Sequence, residues 1–312
     1  MNPQRSQLQN GQQHFSWGPI DLVIGAQADF GNHENFIQQA HDDAWSRFQN
    51  ILPELVKELS ALKQAIRASE NNPFDGHIAR NMWQACRPFS AHFITPMAAV
   101  AGAVADEMIK SYQIYGIHKA WINNGGDIAI HLAPNQVIPI GICADSYLAN
   151  DNLQQLGSFT LDGQLTISTK DPVRGIATSG WQGRSFSMGI ADSVTVLAHN
   201  AACADAAATI IANAVNVEDV RILRRRACDV KDDSDLGEHL ITVYVPTLED
   251  ELIEHALDNG LMMAQTLKEQ GLIWGAILVC QQQVKYVMDM QDPLPTNILS
   301  MTNPATIAVN MA

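Results

Sequence analysis

The chain is short of the residues that build several familiar sites. Its 312 residues include five cysteines, at 86, 143, 203, 228 and 280, and no two are spaced as a CxxC pair. Zinc-ribbon and iron–sulfur frameworks are disfavoured by that spacing, and a reducing compartment is expected. Positive charge is also scarce, with 19 Lys and Arg against 33 Asp and Glu and a formal charge of −14. So acidic a chain repels a phosphate backbone at long range, and no nucleic-acid partner is expected. The GxGxxG fingerprint of a dinucleotide fold is missing. So is any run of 18 apolar residues, which argues against a spanning helix and a membrane partner. The opening residues, MNPQRSQLQNGQQHFSWG, hold no apolar core and no small-residue cleavage site, so the expected location is cytoplasmic.

What is present is globular. Hydrophobic residues make up 46% of the chain, enough to bury a sizeable core in one domain over 1–312, or in two intimately joined subdomains. Residues 13–26 read as two strands around Gly18-Pro19. Phe36, Ala40, Ala44, Trp45, Phe48, Ile51 and Leu52 recur at three and four, an apolar helical stripe, with Pro53 expected to start a second helix. Thr95-Pro96 is placed to cap and open a small-residue helix, MAAVAGAVADEMIKSY. Short glycine-punctuated β runs follow, with Asp162-Gly163 as a hairpin signal. DSVTVLA then feeds an alanine-rich helix at about 201–214, and ITVYV, a helix near 246–269 and two closing strands complete the pattern. The tail after Pro293 is polar. Helices interleaved with antiparallel-type strands give an α+β class rather than a βαβ series. The one basic cluster, Arg221 to Arg226, reads as a paired or solvated helix end.

Four patches can carry chemistry. Gly102 and its alanines allow a flat ligand or another backbone to approach, and Asp106 lies one turn later. Asn123-Asn124-Gly125-Gly126-Asp127 is a polar turn able to offer amides to a ligand, and an ordinary turn would read the same. Thr178, Ser179, Gly180 and Arg184 form a hydroxyl-rich loop suited to phosphoryl oxygens. Asp205 and Thr209, four apart on one helix face, could hold Mg²⁺ together with a substrate phosphate. Asp205 could equally be a plain helix acid and Thr209 bond its own turn.

The order of these patches is similar to that of the ApbE-like superfamily, which includes the FAD:protein FMN transferases. The matching segments are Asn124-Gly125-Gly126-Asp127, Thr178-Ser179-Gly180, Val194-Thr195-Val196, Ala204-Asp205 and Ala208-Thr209. The resemblance spans roughly residues 13–290, is sharpest over 120–215, and is nearest the uncharacterised cytoplasmic branch with GRSFSMGIADSVTVLA-type sequence. It implies an ApbE-like, T-fold-like arrangement of mixed sheets with packed helices. It implies Mg²⁺ on Asp205 and Thr209, and FAD or FMN near Asn124, Gly125, Gly126, Asp127, Thr178, Ser179, Gly180 and Arg184. Where the transferases carry a lysine before the glycine matching Gly102, this chain has Ala101. Where they carry His-Ile-x-Asp-Pro-x-Thr-Gly, it has Arg184 to Gly189.

Three functional readings stand at this point. The first is a protein that binds a flavin or another phosphate-bearing small molecule with Mg²⁺, with FMN-type phosphoryl transfer as the implied reaction and a protein threonine as acceptor. The second is an enzyme or accessory factor of sulfur assimilation towards homocysteine, with Cys203 activated by its helix end. The third is a non-catalytic scaffold, dimeric through the long helices at 32–67 and 246–269; a homodimer is expected in any case. Asp106, His199 and Cys203 are the candidate catalytic groups. Asp205 and Thr209 are expected to face a polar crevice beside Thr178–Gly180.

Overall fold

Alternation at period two decides which side of the main sheet each residue serves. The computed structural model describes residues 2–28, 34–142, 163–288 and 307–308. Strands β1 (Gln4–Gln7), β2 (Gln13–Trp17), β3 (Ile20–Ala28), β4 (Ile117–Asn124) and β5 (Asp127–Leu132) follow one another in space. β8 (Gly175–Ser179), β9 (Ser193–Ala198), β12 (Gly275–Cys280) and β13 (Gln283–Val287) continue the same sheet to nine strands, all pairings antiparallel. β6 (Val137–Ile142) and β7 (Gly163–Ser168) form a small sheet, which Ile307–Ala308 joins in parallel. β10 (Leu223–Arg226) pairs with β11 (Leu240–Tyr244).

One face of the nine-stranded sheet carries Ile122, Ala177, Val194, Val196 and Leu278 into the main core with the helices. The alternate residues, Trp121, Ile130, Ile176 and Leu197, join a second core with Ile138, Ile140 and Ile167 of the small sheet. The result is a mixed helix-and-sheet fold with antiparallel sheets and packed helices, in agreement with the α+β expectation.

The helices are α1 (Glu34–Leu62), α2 (His77–Cys86), α3 (Val100–Ile109), α4 (Ala201–Ala214), a single turn α5 (Ala227–Val230) and α6 (Asp250–Glu269). α4 is apolar nearly all round and is enclosed by β8, β9, α3 and α6. Its alanines meet Ala177 and Ala198 on the sheet, small residues on both sides, so the helix lies close to the strands. Gly102 brings α3 equally close: a Cβ there would stand 2.3 Å from the Ala201 carbonyl oxygen. Of the two readings of Gly102, the approach of another backbone is the one realised.

Three expectations need correction. Pro53 sits inside α1, a continuous helix of 29 residues. Pro53 and Gln49, the residue whose carbonyl it leaves unbonded, are both exposed, so water can replace the missing bond. Thr95 makes no capping bond; its hydroxyl donates to Asp235 at 2.5 Å, and a 3₁₀ turn, Pro96–Ala99, precedes α3. The basic cluster is a turn followed by the strand Leu223–Arg226, which leads into a single helical turn, and two of its four arginines pair with acids. Arg221 pairs with Asp219 and Glu249, and Arg226 with Asp229. Cys143, Asp162 and the tail after Pro293, apart from residues 307–308, lie outside the described residues. Cys86, Cys203, Cys228 and Cys280 are free thiols.

Gly102→Ala should lower the unfolding free energy by about 1–3 kcal/mol, because backbone rather than a mobile side chain occupies the space. That outweighs the roughly 1 kcal/mol an alanine gains in a helix interior. Chemical denaturation checks the sign, and a more stable variant would contradict the packing described.

Candidate functional site

Two helix N-termini meet at the centre of the site, and each is satisfied by a carboxylate from the other helix. Asp106 of α3 accepts hydrogen bonds from the Ala201 and Ala202 amides of α4, both at 2.9 Å. In return Asp205 of α4 accepts one from the Gly102 amide of α3 at 3.0 Å, and another from Ala101. The first-turn amides of a helix lack intrahelical partners and carry its positive dipole end, so both contacts are favourable. Asn200 completes the cap of α4 by accepting from the Cys203 amide at 2.8 Å.

The hairpin between β4 and β5 supplies the next layer. Gly125 and Gly126 have φ of 64° and 108°, the left-handed conformation a two-residue hairpin turn demands. Asn123 accepts from the Gly126 amide at 2.8 Å, and Asn124 donates to the Ala101 carbonyl at 3.0 Å, tying the turn to α3. Asp127 begins β5, is buried, and shares a hydrogen bond with Asp205. It also accepts from the Thr178 amide at 3.3 Å. The turn and the Thr178–Gly180 segment therefore lie together at one end of the sheet, joined through Asp127.

Burial raises both Asp127 and Asp205 above the usual carboxylate range. The charge of Asp205 adds to the effect on Asp127, whereas amide donors draw Asp205 back to about 7. Two adjacent carboxylates in one site hold a proton between them unless a cation takes its place.

The remaining groups are less engaged. Thr209 lies one turn beyond Asp205, half-buried, with no hydrogen bond from its hydroxyl among the described residues. Ser179 is half-buried, also with no such bond, while the Thr178 hydroxyl meets that of Thr195 at 2.9 Å. Gly180 packs on the Asp192 carbonyl, and the Trp181 ring nitrogen donates to Asp192 at 3.2 Å, which fixes the loop. Arg184 follows, exposed, with no carboxylate partner among the described residues. A Cβ on Gly125 would fall 2.7 Å from one of its guanidinium nitrogens, so Arg184 lies across the hairpin turn. Thr195 and Ala101 were visible in the sequence only as parts of the resemblance and Asp192 only as the start of a strand; the contacts they make are set by strand register and helix packing.

The candidate catalytic residues lie apart from this loop. Both oxygens of Asp106 are committed to α4, and burial raises it, which suits a structural acid better than a free base. Cys203 contacts His199 at 3.5 Å beside the start of α4. The expectation of a thiol activated by the helix end does not hold. Burial first, then the negative charge of Asp106, push Cys203 up to about 11, and the nearby amides are already taken by Asn200 and Asp106. Among the described residues no group of three or more His, Cys, Asp and Glu is arranged to hold a metal. No described helix is long and apolar enough to cross a membrane.

A model of the family described as AbpE bacteria matches residues 5–286. A UPF0280 protein of Methanopyrus kandleri is 33% identical over 171 residues, 55% of this chain and 61% of that protein. Another, from Methanospirillum hungatei, is 37% identical over 133 residues, 42% of this chain and 50% of that protein. The chain thus spans about half the length of the curated relatives it matches. Among solved structures, the ApbE protein of Thermotoga maritima is similar over 91% of this chain and 96% of that one, at 11% identity and a TM-score of 0.41.

Two outcomes follow from the electrostatics. An acid raised by folding binds its proton more tightly in the folded state. Its stabilisation is full below the unfolded value near 3.8 and is lost as pH rises through about 7. In metal-free buffer, Asp205→Asn should therefore lose less thermal stability than the parent between about pH 5 and pH 8. Equal losses would contradict the sharing of a proton between Asp127 and Asp205. For Cys203, a shift from 9.0 to about 11 leaves about a hundredth of the ordinary thiolate near neutrality. Iodoacetamide should label it far more slowly than a free thiol, with a rate still rising above pH 9, as followed by peptide mass spectrometry.

Proposed function

Because the chain belongs to the AbpE bacteria family, we propose that it binds a phosphate-bearing cofactor, FAD or FMN, together with Mg²⁺ where α3, α4 and the β4–β5 hairpin meet. The observation that carries this reading is the paired Asp127 and Asp205 beside an exposed Arg184 with no acidic partner among the described residues. Two carboxylates and a Thr209 hydroxyl suit a hard cation, which takes oxygen ligands and keeps several positions for phosphate and water. That donor set fits Mg²⁺ with two protein ligands, Asp205 and Thr209, and leaves Asp127 to hold or release the proton of the pair. Bound there, the cation would supply charge stabilisation to phosphoryl oxygens.

The chain's own groups have distinct tasks in this reading. Arg184 offers a planar fork of donors to a phosphate, and its position across Gly125 sets the fork above the turn. Ser179 brings a hydroxyl, and Gly180 keeps the loop pressed on Asp192 so that the donors hold their places. Asn124 and Asp127 act chiefly as supports for α3 and β8. The activity is a phosphoryl transfer of the FMN type, in a cytoplasmic homodimer without nucleic-acid partners. The sulfur-assimilation reading has less to stand on, since it needed a reactive Cys203 and burial keeps that thiol protonated.

Isothermal titration of FAD and FMN, with and without Mg²⁺, tests the proposal. Mg²⁺-dependent binding should vanish in Asp205→Ala and largely persist in Thr209→Ser. Arg184→Gln should weaken it by about 10- to 100-fold, the range for a hydrogen bond to a charged group. Unchanged Mg²⁺-dependent binding by Asp205→Ala would sink the metal assignment, and absence of flavin binding by the parent would sink the cofactor.

A further inference from the structure

At the opposite end of the same strands the surface is hollowed. In the β8–β9 pairing, Ser179 stands opposite Val194 at the end that leads to Arg184, and Gly175 opposite Ala198 at the end that leads to His199. Four residues of strand separate those ends by about 13 Å at 3.3 Å per residue. Beside His199 and Cys203 lies a cavity of about 250 Å³, lined also by Phe89 and Leu272. An open groove of about 560 Å³ adjoins it along α2, flanked by Trp83 and Arg87. Gln84 and Pro88 line both, so the two hollows lie against each other.

Arg87 gives this groove its chemistry. Its guanidinium lies over the Trp83 ring, 5.3 Å from the centroid, and the ring itself is buried at 5% exposure. That contact leaves the N–H groups of the exposed guanidinium available to donate. Among the described residues no carboxylate pairs with it, although acids outnumber bases by 33 to 19 in this chain. The contrast with Arg47 and Arg221, each held by two acids, is direct. The inner cavity differs in character: its lining combines the apolar Phe89 and Leu272 with the imidazole of His199 and the thiol of Cys203. A ligand suited to both has an oxyanion at one end and a compact, largely apolar body.

We propose that this groove is a second ligand site, taking a small organic anion whose carboxylate or phosphate head is bound by Arg87 and whose body lies between Phe89 and Leu272 against the His199–Cys203 pair. It is independent of the flavin reading, and neither stands on the other.

The test uses the full chain carrying Arg184→Gln, which removes the guanidinium at the far end of the sheet. Phenyl phosphate, phenylacetate and neutral benzyl alcohol are titrated while the Arg87 side-chain N–H and the His199 ring are followed by NMR. Expected is saturable movement of both signals by at least one anion, with the tighter anion identifying the head group. Arg87→Gln should weaken binding at least tenfold, and Gln84→Trp, at an exposed position that lines both hollows, should abolish it. The proposal is overturned if neither anion binds, if benzyl alcohol binds as tightly as both anions, if Arg87→Gln binds as well as the parent, or if the two signals stay still while others move.

Discussion

The exchange of carboxylates between α3 and α4 organises everything around it. Each helix begins with amides that its own turns cannot satisfy, and each finds an acid on its neighbour: Asp106 for Ala201 and Ala202, Asp205 for Gly102. The exchange requires the two backbones to approach closely, which Gly102 allows and the alanines of α4 extend to the sheet. Removing either acid leaves buried donors unmet, a cost of about 1–3 kcal/mol before any packing is lost. Asp205 therefore has a structural duty whether or not it also meets a cation. The two roles are compatible, since a carboxylate has lone pairs enough for an amide and a ligand.

Charge is distributed unevenly in a way that composition conceals. In the run from Arg221 to Arg226, the densest positive stretch, Arg221 and Arg226 are paired with Asp219, Glu249, Asp229 and Glu238, while Arg224 and Arg225 donate to Asn216 and to backbone carbonyls. The arginines left without acid partners among the described residues include two isolated ones, Arg184 beyond β8 and Arg87 after α2. Each lies against something other than a carboxylate: Arg184 over Gly125, Arg87 over the Trp83 ring. A guanidinium without an acid partner keeps its donors for a ligand, whereas one paired with acids does not.

Much of the scaffold could be read from local pattern. The alanine-rich helix, the strand before it and the Gly18-Pro19 and Gly125-Gly126 hairpins fall where period and turn chemistry put them. The misplaced elements are those where solvent or a distant partner decides. Pro53 stays inside α1 because its face is exposed, and Thr95 turns to Asp235 because residues 140 positions away lie beside it. The Thr178 segment and the β4–β5 turn were identifiable as polar and flexible. That they join through Asp127 follows from β5 pairing with β8, a register fixed by two opposed cores.

The sequence by itself determined the alanine-rich helix, the strand before it, the mixed helix-and-strand class and the residue types available at each turn, because these depend on side-chain period, glycine conformation and charge along the chain. It also placed Asp205 and Thr209 on one helix face, a matter of 3.6 residues per turn. Only the tertiary structure decided what those groups meet. Asp127 became the partner of Asp205, Asp106 became a cap, and Cys203 became a half-buried thiol held protonated rather than an activated one. Each of those outcomes depends on desolvation and on neighbours brought in from elsewhere in the chain, and neither is written in the order of residues.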